Sequence, residues 1–270
     1  MKLDHQITLR ECVTDADIAR FWEEKDKMLL RDIVPGGDLG KGLDQEDMDY
    51  FLGGEYRSAI ERFALRERDP MRRVFFALDG REVGFALYCV YGSEDGKCFV
   101  LEFCVYPQHR CAGVGAACFA ALRKRAKTQG AAYYELNTHS RRSVRFWQRQ
   151  GFLPNGYDEW GVILLCRPPA RRVPLTVSAL APGELEAEGW QLRRLLNGLC
   201  AEAGRGLPDD GDFDRLCEDA RGGKTTLWIA RRGSRFVGVS GPGLLFVEPA
   251  FRRQGIGRAL RASARPAENE

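Results

Sequence analysis

Apolar and polar positions along this 270-residue chain fall into two rhythms, one helical and one extended. Ile7 to Cys12 reads as a short strand. Thr14 then offers a side-chain cap, with Asp17 three residues on, to a helix whose apolar face is Ile18, Phe21, Trp22, Met28 and Leu29. Pro35-Gly36-Gly37 stops it. A second helical stretch begins near Asp44 and carries Met48, Phe51, Leu52, Ile60, Phe63 and Leu65, with Gly53-Gly54 as a point of interruption. The pattern then becomes extended. Arg73 to Leu78 and Glu82 to Tyr91 flank Asp79-Gly80, a tight-hairpin signal, and Lys97 to Tyr106 follows after a turn. Val114, Ala117, Cys118, Ala121 and Leu122 keep helical spacing on one buried face up to Gly130. Tyr133 to Asn137 is a strand, Ser143 to Gln150 a short helix closed by Gly151, and Gly161 to Arg167 a final strand. The predicted order is strand, two helices, three strands, helix, strand, helix, strand. That is a mixed α/β (α+β) domain with a mostly antiparallel sheet flanked by helices.

Composition narrows the class. A hydrophobic fraction of 44% and a charged fraction of 29% are ordinary for a soluble globular chain. A net charge of +3 is too small to indicate nucleic acid as a partner. No apolar run is long enough for a membrane span, and the first residues lack the apolar core of a secretion signal, so a cytoplasmic location is expected. The nine cysteines include no Cys-x-x-Cys pair and there are three histidines, so no metal site is expected. Cys89, Cys104, Cys118 and Cys166 lie inside apolar runs and read as buried, reduced thiols.

The chemistry concentrates in Val105-Tyr106-Pro107-Gln108-His109-Arg110-Cys111-Ala112-Gly113-Val114-Gly115-Ala116, which runs from strand to helix. Two glycines stand where the backbone must turn tightly and let a ligand approach. The helix that follows presents N–H groups without intrahelical partners and the positive end of its dipole, an anion site suited to a pyrophosphate. Arg110 adds positive charge nearby. The segment lacks the lysine of a nucleoside-triphosphate loop and the third spaced glycine of a dinucleotide fold.

Arg110-x-x-Gly113-x-Gly115, preceded by an apolar strand and Val-x-Pro, resembles the pyrophosphate loop of the GNAT superfamily of acyl-CoA-dependent N-acyltransferases. Ser143-Val144-Arg145-Phe146-Trp147-Gln148-Arg149-Gln150-Gly151-Phe152 resembles that family's later helix, which ends in Gly-Phe before a strand. The likeness covers the order of elements from about residue 7 to 167. It implies acetyl-CoA as co-substrate, held by the backbone of Cys111, Ala112, Gly113, Val114, Gly115 and Ala116. It also implies that Phe103, Cys104 and Val105 splay from the next strand to pair with the pantetheine arm, one N–H polarising the thioester carbonyl. Asn137 is a further candidate for contacting the cofactor's amides. The implied reaction is direct attack by an amine, which needs a base.

Glu102, among apolar neighbours that would raise its pKa, is the candidate base; the alternative is a carboxylate that organises the sheet or binds the substrate's cation. Where the family commonly has Tyr this chain has Trp147, and an indole N–H is not a useful acid. The leaving thiolate then takes its proton from water or another group, for which Tyr157 and His139 are conceivable. Ser140 stands where the family usually has Asn. Trp22, Glu23, Glu24 and Asp26 are candidates for attracting a cationic amine, against the ordinary reading of solvated helix acids. The acceptor is a small-molecule or protein amine. The competing reading is a CoA-binding or scaffold protein without turnover.

The frame returns in Val247-Glu248-Pro249-Ala250-Phe251-Arg252-Arg253-Gln254-Gly255-Ile256-Gly257, where Arg252 and Gly255 stand 142 residues after Arg110 and Gly113. Val237-Gly238 stands 154 residues after Val83-Gly84, so twelve residues are missing between the matched strands. This internal repeat is of domain length. Leu244 occupies the position of Glu102, and the expectation is a partial, non-catalytic second GNAT-like unit. An exposed sheet edge there would suit a homodimer. The expected organisation is a domain over 1–168, a Pro-rich linker over 169–175 and the second unit over 176–270.

Overall fold

The computed structural model describes residues 6–34, 44–138, 140–157, 162–169, 173–204 and 210–264. The chain divides after Phe152 into two compact units.

In the first unit, β1 (Ile7–Glu11) leads into α1 (Asp15–Met28), capped by the Thr14 hydroxyl, which accepts from the Asp17 N–H at 3.1 Å. The helix continues as a π-helical turn over Leu29–Ile33. The second helical stretch is two helices, α2 (Gln45–Leu52) and α3 (Gly54–Ala64). They part at Gly53, whose extended ψ of 169° ends one helix and starts the next. β2 (Arg72–Leu78) and β3 (Arg81–Tyr91) form the expected hairpin, with Asp79 and Gly80 both at positive φ. β4 (Lys97–Val105), α4 (Val114–Thr128), β5 (Tyr133–Thr138) and α5 (Arg141–Arg149) complete the unit.

Its strands lie in the order β1-β2-β3-β4-β5, antiparallel except for the parallel pair β4–β5. β3 is buried along nearly its whole length because helices cover both faces. On one face Phe21, Trp22 and Met28 of α1 and Tyr56 and Ile60 of α3 pack on Phe75, Phe85, Leu87, Cys104 and Tyr106. On the other, Phe103 meets Phe119 of α4 and Phe146 and Trp147 of α5.

The second unit opens with β6 (Leu153–Tyr157) and β7 (Ile163–Arg167), an antiparallel hairpin. The sequence pattern had led from helix straight to the strand now seen as β7. β6 was hidden because Pro154 and Gly156 break the apolar alternation and the register shifts between Pro154 and Tyr157. Within this unit β6 packs on the next helix and on the turn after the last strand, where Asn155 Oδ1 accepts from the Ala250 N–H at 3.1 Å. There follow β8 (Leu175–Ala179), α6 (Pro182–Glu202), α7 (Asp210–Arg221), β9 (Trp228–Arg232), β10 (Arg235–Gly241), β11 (Leu244–Val247) and α8 (Ile256–Ser263). The sheet β11-β10-β9-β8 is antiparallel throughout. Its core joins Leu185, Leu192 and Leu195 of α6 to Ile229, Phe236, Val239 and Phe246. β10 and β11 are shorter than β3 and β4, and the turn between them is tighter; together these account for the twelve missing residues.

Candidate active site

The site begins at a bulge. Opposite β2, the register of β3 skips Val83, whose carbonyl accepts the Tyr106 N–H at 2.9 Å and draws the end of β4 close. Gly84 is required there, since a Cβ would lie 2.1 Å from the Cys104 carbonyl oxygen. Pro107–His109 then makes one 3-10 turn, with the Arg110 N–H donating to the Pro107 carbonyl at 3.2 Å. Cys111 and Gly113 both adopt positive φ, 72° and 81°, and Gly113 is the N-cap of α4 without a side-chain cap bond. The first-turn N–H groups of Val114, Gly115 and Ala116 therefore point at a loop whose Cys111, Ala112 and Gly113 are exposed. Gly115 answers a different need: a Cβ there would sit 3.1 Å from the Phe146 ring, so glycine lets α4 and α5 approach.

β4 and β5 pair only from Lys97 and Tyr133 to Phe99 and Glu135. Beyond that, the stretch of β4 carrying Phe103, Cys104 and Val105 has no register partner on β5, whose end carries Asn137. A gap between strands thus opens toward the glycine loop. The pairing of β4 with β3 shifts between Leu87 and Tyr88, at Leu101 and Glu102, just beyond the last pair with β5.

Glu102 faces α1 and α3. The Tyr56 hydroxyl donates to its Oε1 at 3.4 Å. Burial pushes the Glu102 carboxyl up to about 7, although the Lys25 charge and the Tyr56 hydrogen bond pull the other way. Lys25 is 1% exposed; its Nζ donates to the Phe51 carbonyl and lies 4.6 Å from the centre of the Tyr56 ring. Burial lowers its pKa against the attraction of Glu102 and Asp26. Burial and the neighbouring carboxylate raise the Tyr56 hydroxyl. Lys25 and Tyr56 were not singled out in the sequence. The signal for Lys25 was present, because position 25 falls on the stripe of Phe21, Trp22 and Met28, where a lysine has no ordinary reason to be.

The other candidates are placed as follows. The acids of α1 are already partnered: Glu23 and Glu24 with Lys27 at 2.7 and 2.9 Å, and Asp26 with Arg57. The Trp22 indole N–H donates to Glu61 at 3.0 Å. Arg110 Nε donates to the Val105 carbonyl at 2.7 Å, and its two terminal nitrogens bind Asp32. Trp147 is buried, with ring centroids 5.1 Å from Phe103, Phe119 and Phe152, so it is part of the core beneath the gap. Ser140 caps α5, its hydroxyl accepting from Ser143 at 3.1 Å. Tyr157 is exposed on β6 of the second unit, and His139 lies outside the described residues.

The sequence model of the Acetyltransferase (GNAT) family matches residues 41–152. Residues 41–152 carry a GNAT acetyltransferase domain. The match spans the bulge, the gap and the glycine loop, and ends at the residue where the first unit ends. Solved structures similar to the chain include the PaiA N-acetyltransferase from Thermoplasma acidophilum in complex with coenzyme A, 15% identical over 60% of this chain and 99% of that one, with a TM-score of 0.46. Another is a GCN5-related N-acetyltransferase from Kribbella flavida, 18% identical over 60% and 97% of the two chains, with a TM-score of 0.42. No curated protein sequence matches the chain. Among the described residues, no helix is long and apolar enough to cross a membrane, and no cluster of His, Cys, Asp and Glu is placed to hold a metal ion.

Proposed function

We propose that the GNAT domain moves an acetyl group from acetyl-CoA to a primary amine by direct attack, with Glu102 as base. The observation that carries this reading is the gap between β4 and β5, which joins the glycine loop at one end and has a carboxylate of raised pKa at its margin. The N–H groups from Cys111 to Ala116 hold the pyrophosphate, and the side of Phe103 to Val105 turned away from β3, without a register partner on β5, receives the pantetheine arm, with Asn137 across the gap. The amine nitrogen attacks the thioester carbonyl carbon. A C–N bond forms, the C–S bond breaks, and a backbone N–H of β4 stabilises the oxyanion. Glu102 takes the amine's proton, and a value of about 7 suits that task near neutral pH. The thiolate takes its proton from water, since Trp147 supplies no acid. The acceptor is a small-molecule or protein amine reaching Glu102 from the side of α1 and α3.

The second unit reads as a partial copy of the same frame without turnover. Its corner reproduces the first: the register of β10 skips Val237 opposite β9, Gly255 caps α8 at a φ of 82°, and Arg253 has a φ of 60°. Leu244, however, offers no base. The family's fold extends in this reading to residue 168, a cytoplasmic setting suits its co-substrate, and the edge strand β11 offers a surface for a second copy.

Calorimetric titration with acetyl-CoA, read for stoichiometry, together with CoA release in the presence of a panel of amines, tests the proposal. One site per chain and amine-dependent release are expected. No binding would end the enzyme reading, and binding without amine-dependent release from any acceptor would favour a CoA-binding protein without turnover.

A further inference from the structure

The arginine of the glycine loop is the residue whose surroundings fit least well with service as a phosphate ligand. Arg110 spends its Nε–H on the carbonyl of Val105, the last residue of β4. Its fork binds Asp32 twice, NH1 to Oδ1 at 3.0 Å and NH2 to Oδ2 at 2.5 Å. This is the bidentate geometry in which Arg and a carboxylate interact most strongly and most directionally. Asp32 sits in the π-helical turn that ends the first helix, 78 residues away in sequence, and also accepts from Arg31. Both partners are half-buried, 27% exposed. Burial raises the Asp32 carboxyl, but hydrogen bonds from Arg110 and Arg31 outweigh it and hold the group at about 2, so it is charged across the working range of pH.

The second unit shows the same arrangement in its own corner. Arg252 Nε donates to the carbonyl of Val247, the last residue of β11, at 2.9 Å, and its NH2 pairs with Glu202, the last residue of α6, at 2.6 Å. The acids differ in type and in spacing from their helix starts, yet each stands at the end of the first long helix of its unit. A loop arginine tied to a strand end on one side and a helix end on the other is thus a recurring part of the corner.

We infer that Asp32 is a positioning residue for the cofactor loop: through Arg110 it ties the end of the first helix to the corner where β4 becomes the loop, and leaves the pyrophosphate to backbone N–H groups. The inference rests on the loop being the acetyl-CoA site. The opposing view makes Arg110 a phosphate ligand and Asp32 its place-holder before the cofactor arrives. The two views predict opposite signs. If Asp32 positions the loop, removing its charge loosens the loop and weakens binding. If Asp32 competes with the phosphate, removing its charge frees the arginine and tightens binding.

The test uses the full chain, with CoA as the probe in calorimetry and hydrogen exchange measured on the ligand-free protein. Asp32→Asn and Arg110→Met are each expected to weaken CoA binding by about ten-fold, the scale of one charge-assisted bond. Asp32→Glu should recover most of the affinity, a rescue that a general loss of stability would not show. Exchange in the peptide covering residues 105–116 should quicken in Asp32→Asn while β2 and β3 stay protected. Tighter CoA binding by Asp32→Asn, or unchanged exchange in that peptide, overturns the inference. If the unaltered protein binds no CoA, the functional reading fails, and the exchange measurement on ligand-free protein still decides whether Asp32 holds the loop.

Discussion

Replacing Glu102 by Gln should stabilise the fold at alkaline pH while it stops the chemistry. The folded protein holds this carboxyl at about 7 against an ordinary 4.5, chiefly because burial disfavours the charge. A group whose folded pKa is raised favours the folded state fully only below its unfolded value, and that advantage is lost as pH rises through the folded value. Near pH 5 the ionised carboxylate is scarcely present in the folded chain, and wild type and Glu102→Gln should differ by less than about 1 kcal/mol. At pH 8 the folded chain must carry a buried carboxylate. A displacement of about 2.5 pH units at 1.36 kcal/mol each gives roughly 3 kcal/mol in favour of the neutral amide.

For a protein of this size that corresponds to a rise in Tm of roughly 5–10 °C at pH 8. Thermal melts at pH 5 and pH 8, backed by urea titrations at the same two values, measure it directly. A Tm gain of equal size at both pH values would show that the amide stabilises through packing, and the argument for a raised pKa would fall. The burial that would suit Glu102 to the proposed role of base near neutrality is a liability to the fold, the usual trade at an active site.

Three further outcomes follow from the same geometry. Lys25→Met removes the buried cation that draws the Glu102 carboxyl down, so the acid limb of kcat/KM should move to higher pH. Tyr56, Asp26 and Arg57, the other charged or titratable groups around the pair, remain in place, and an unmoved limb would show that Lys25 does not act on Glu102. Cys111 is exposed in the glycine loop, whereas Cys200 is half-buried and the remaining cysteines are buried. Saturating acetyl-CoA should therefore slow alkylation of Cys111 by about ten-fold or more without protecting Cys200, and equal rates with and without it would place the ligand elsewhere. Gly84→Ala would drive a Cβ to 2.1 Å from the Cys104 carbonyl and should cost at least about 1–3 kcal/mol in urea denaturation; a neutral result would mean that β3 and β4 can separate there freely.

What could be read from the sequence was whatever is local. The hairpin turn at Asp79-Gly80, the Thr14 cap and the corner from Val105 to Gly115 each depend on a few consecutive residues whose backbone needs are distinctive. The predicted face of α4 was right at Val114, Cys118 and Leu122 but omitted Phe119, which the aromatic layer of the neighbouring α5 draws in. β6 escaped notice because a proline and a glycine interrupt it. Nothing periodic marks the partnership of Asp32 with Arg110, or that of Tyr56 with Glu102, because each joins elements far apart in sequence. The position of Lys25 on an apolar stripe was readable, but what it faces was decided only by tertiary packing.

The two corners show why fidelity of the loop says little about turnover. The N–H of Glu248 bonds the Val237 carbonyl at 3.0 Å as that of Tyr106 bonds Val83 at 2.9 Å, and Ala259 bonds Gly255 at 3.0 Å as Ala117 bonds Gly113 at 3.1 Å. These bonds need only a bulge, one proline and three glycines, all supplied within a short stretch of chain. The proposed acetyl transfer asks for more: a second strand parting from the first, and a carboxylate whose charge is governed by helices remote in sequence. In the first unit β5 parts from β4, and Lys25 and Tyr56 surround Glu102. In the second, β11 is the edge of its sheet among the described residues, and apolar Leu244 packs into the core at the corresponding position. The corner geometry therefore recurs where a carboxylate like Glu102 does not, and on the proposed reading amine-dependent release of CoA should trace to Glu102 alone, however many CoA molecules the chain binds.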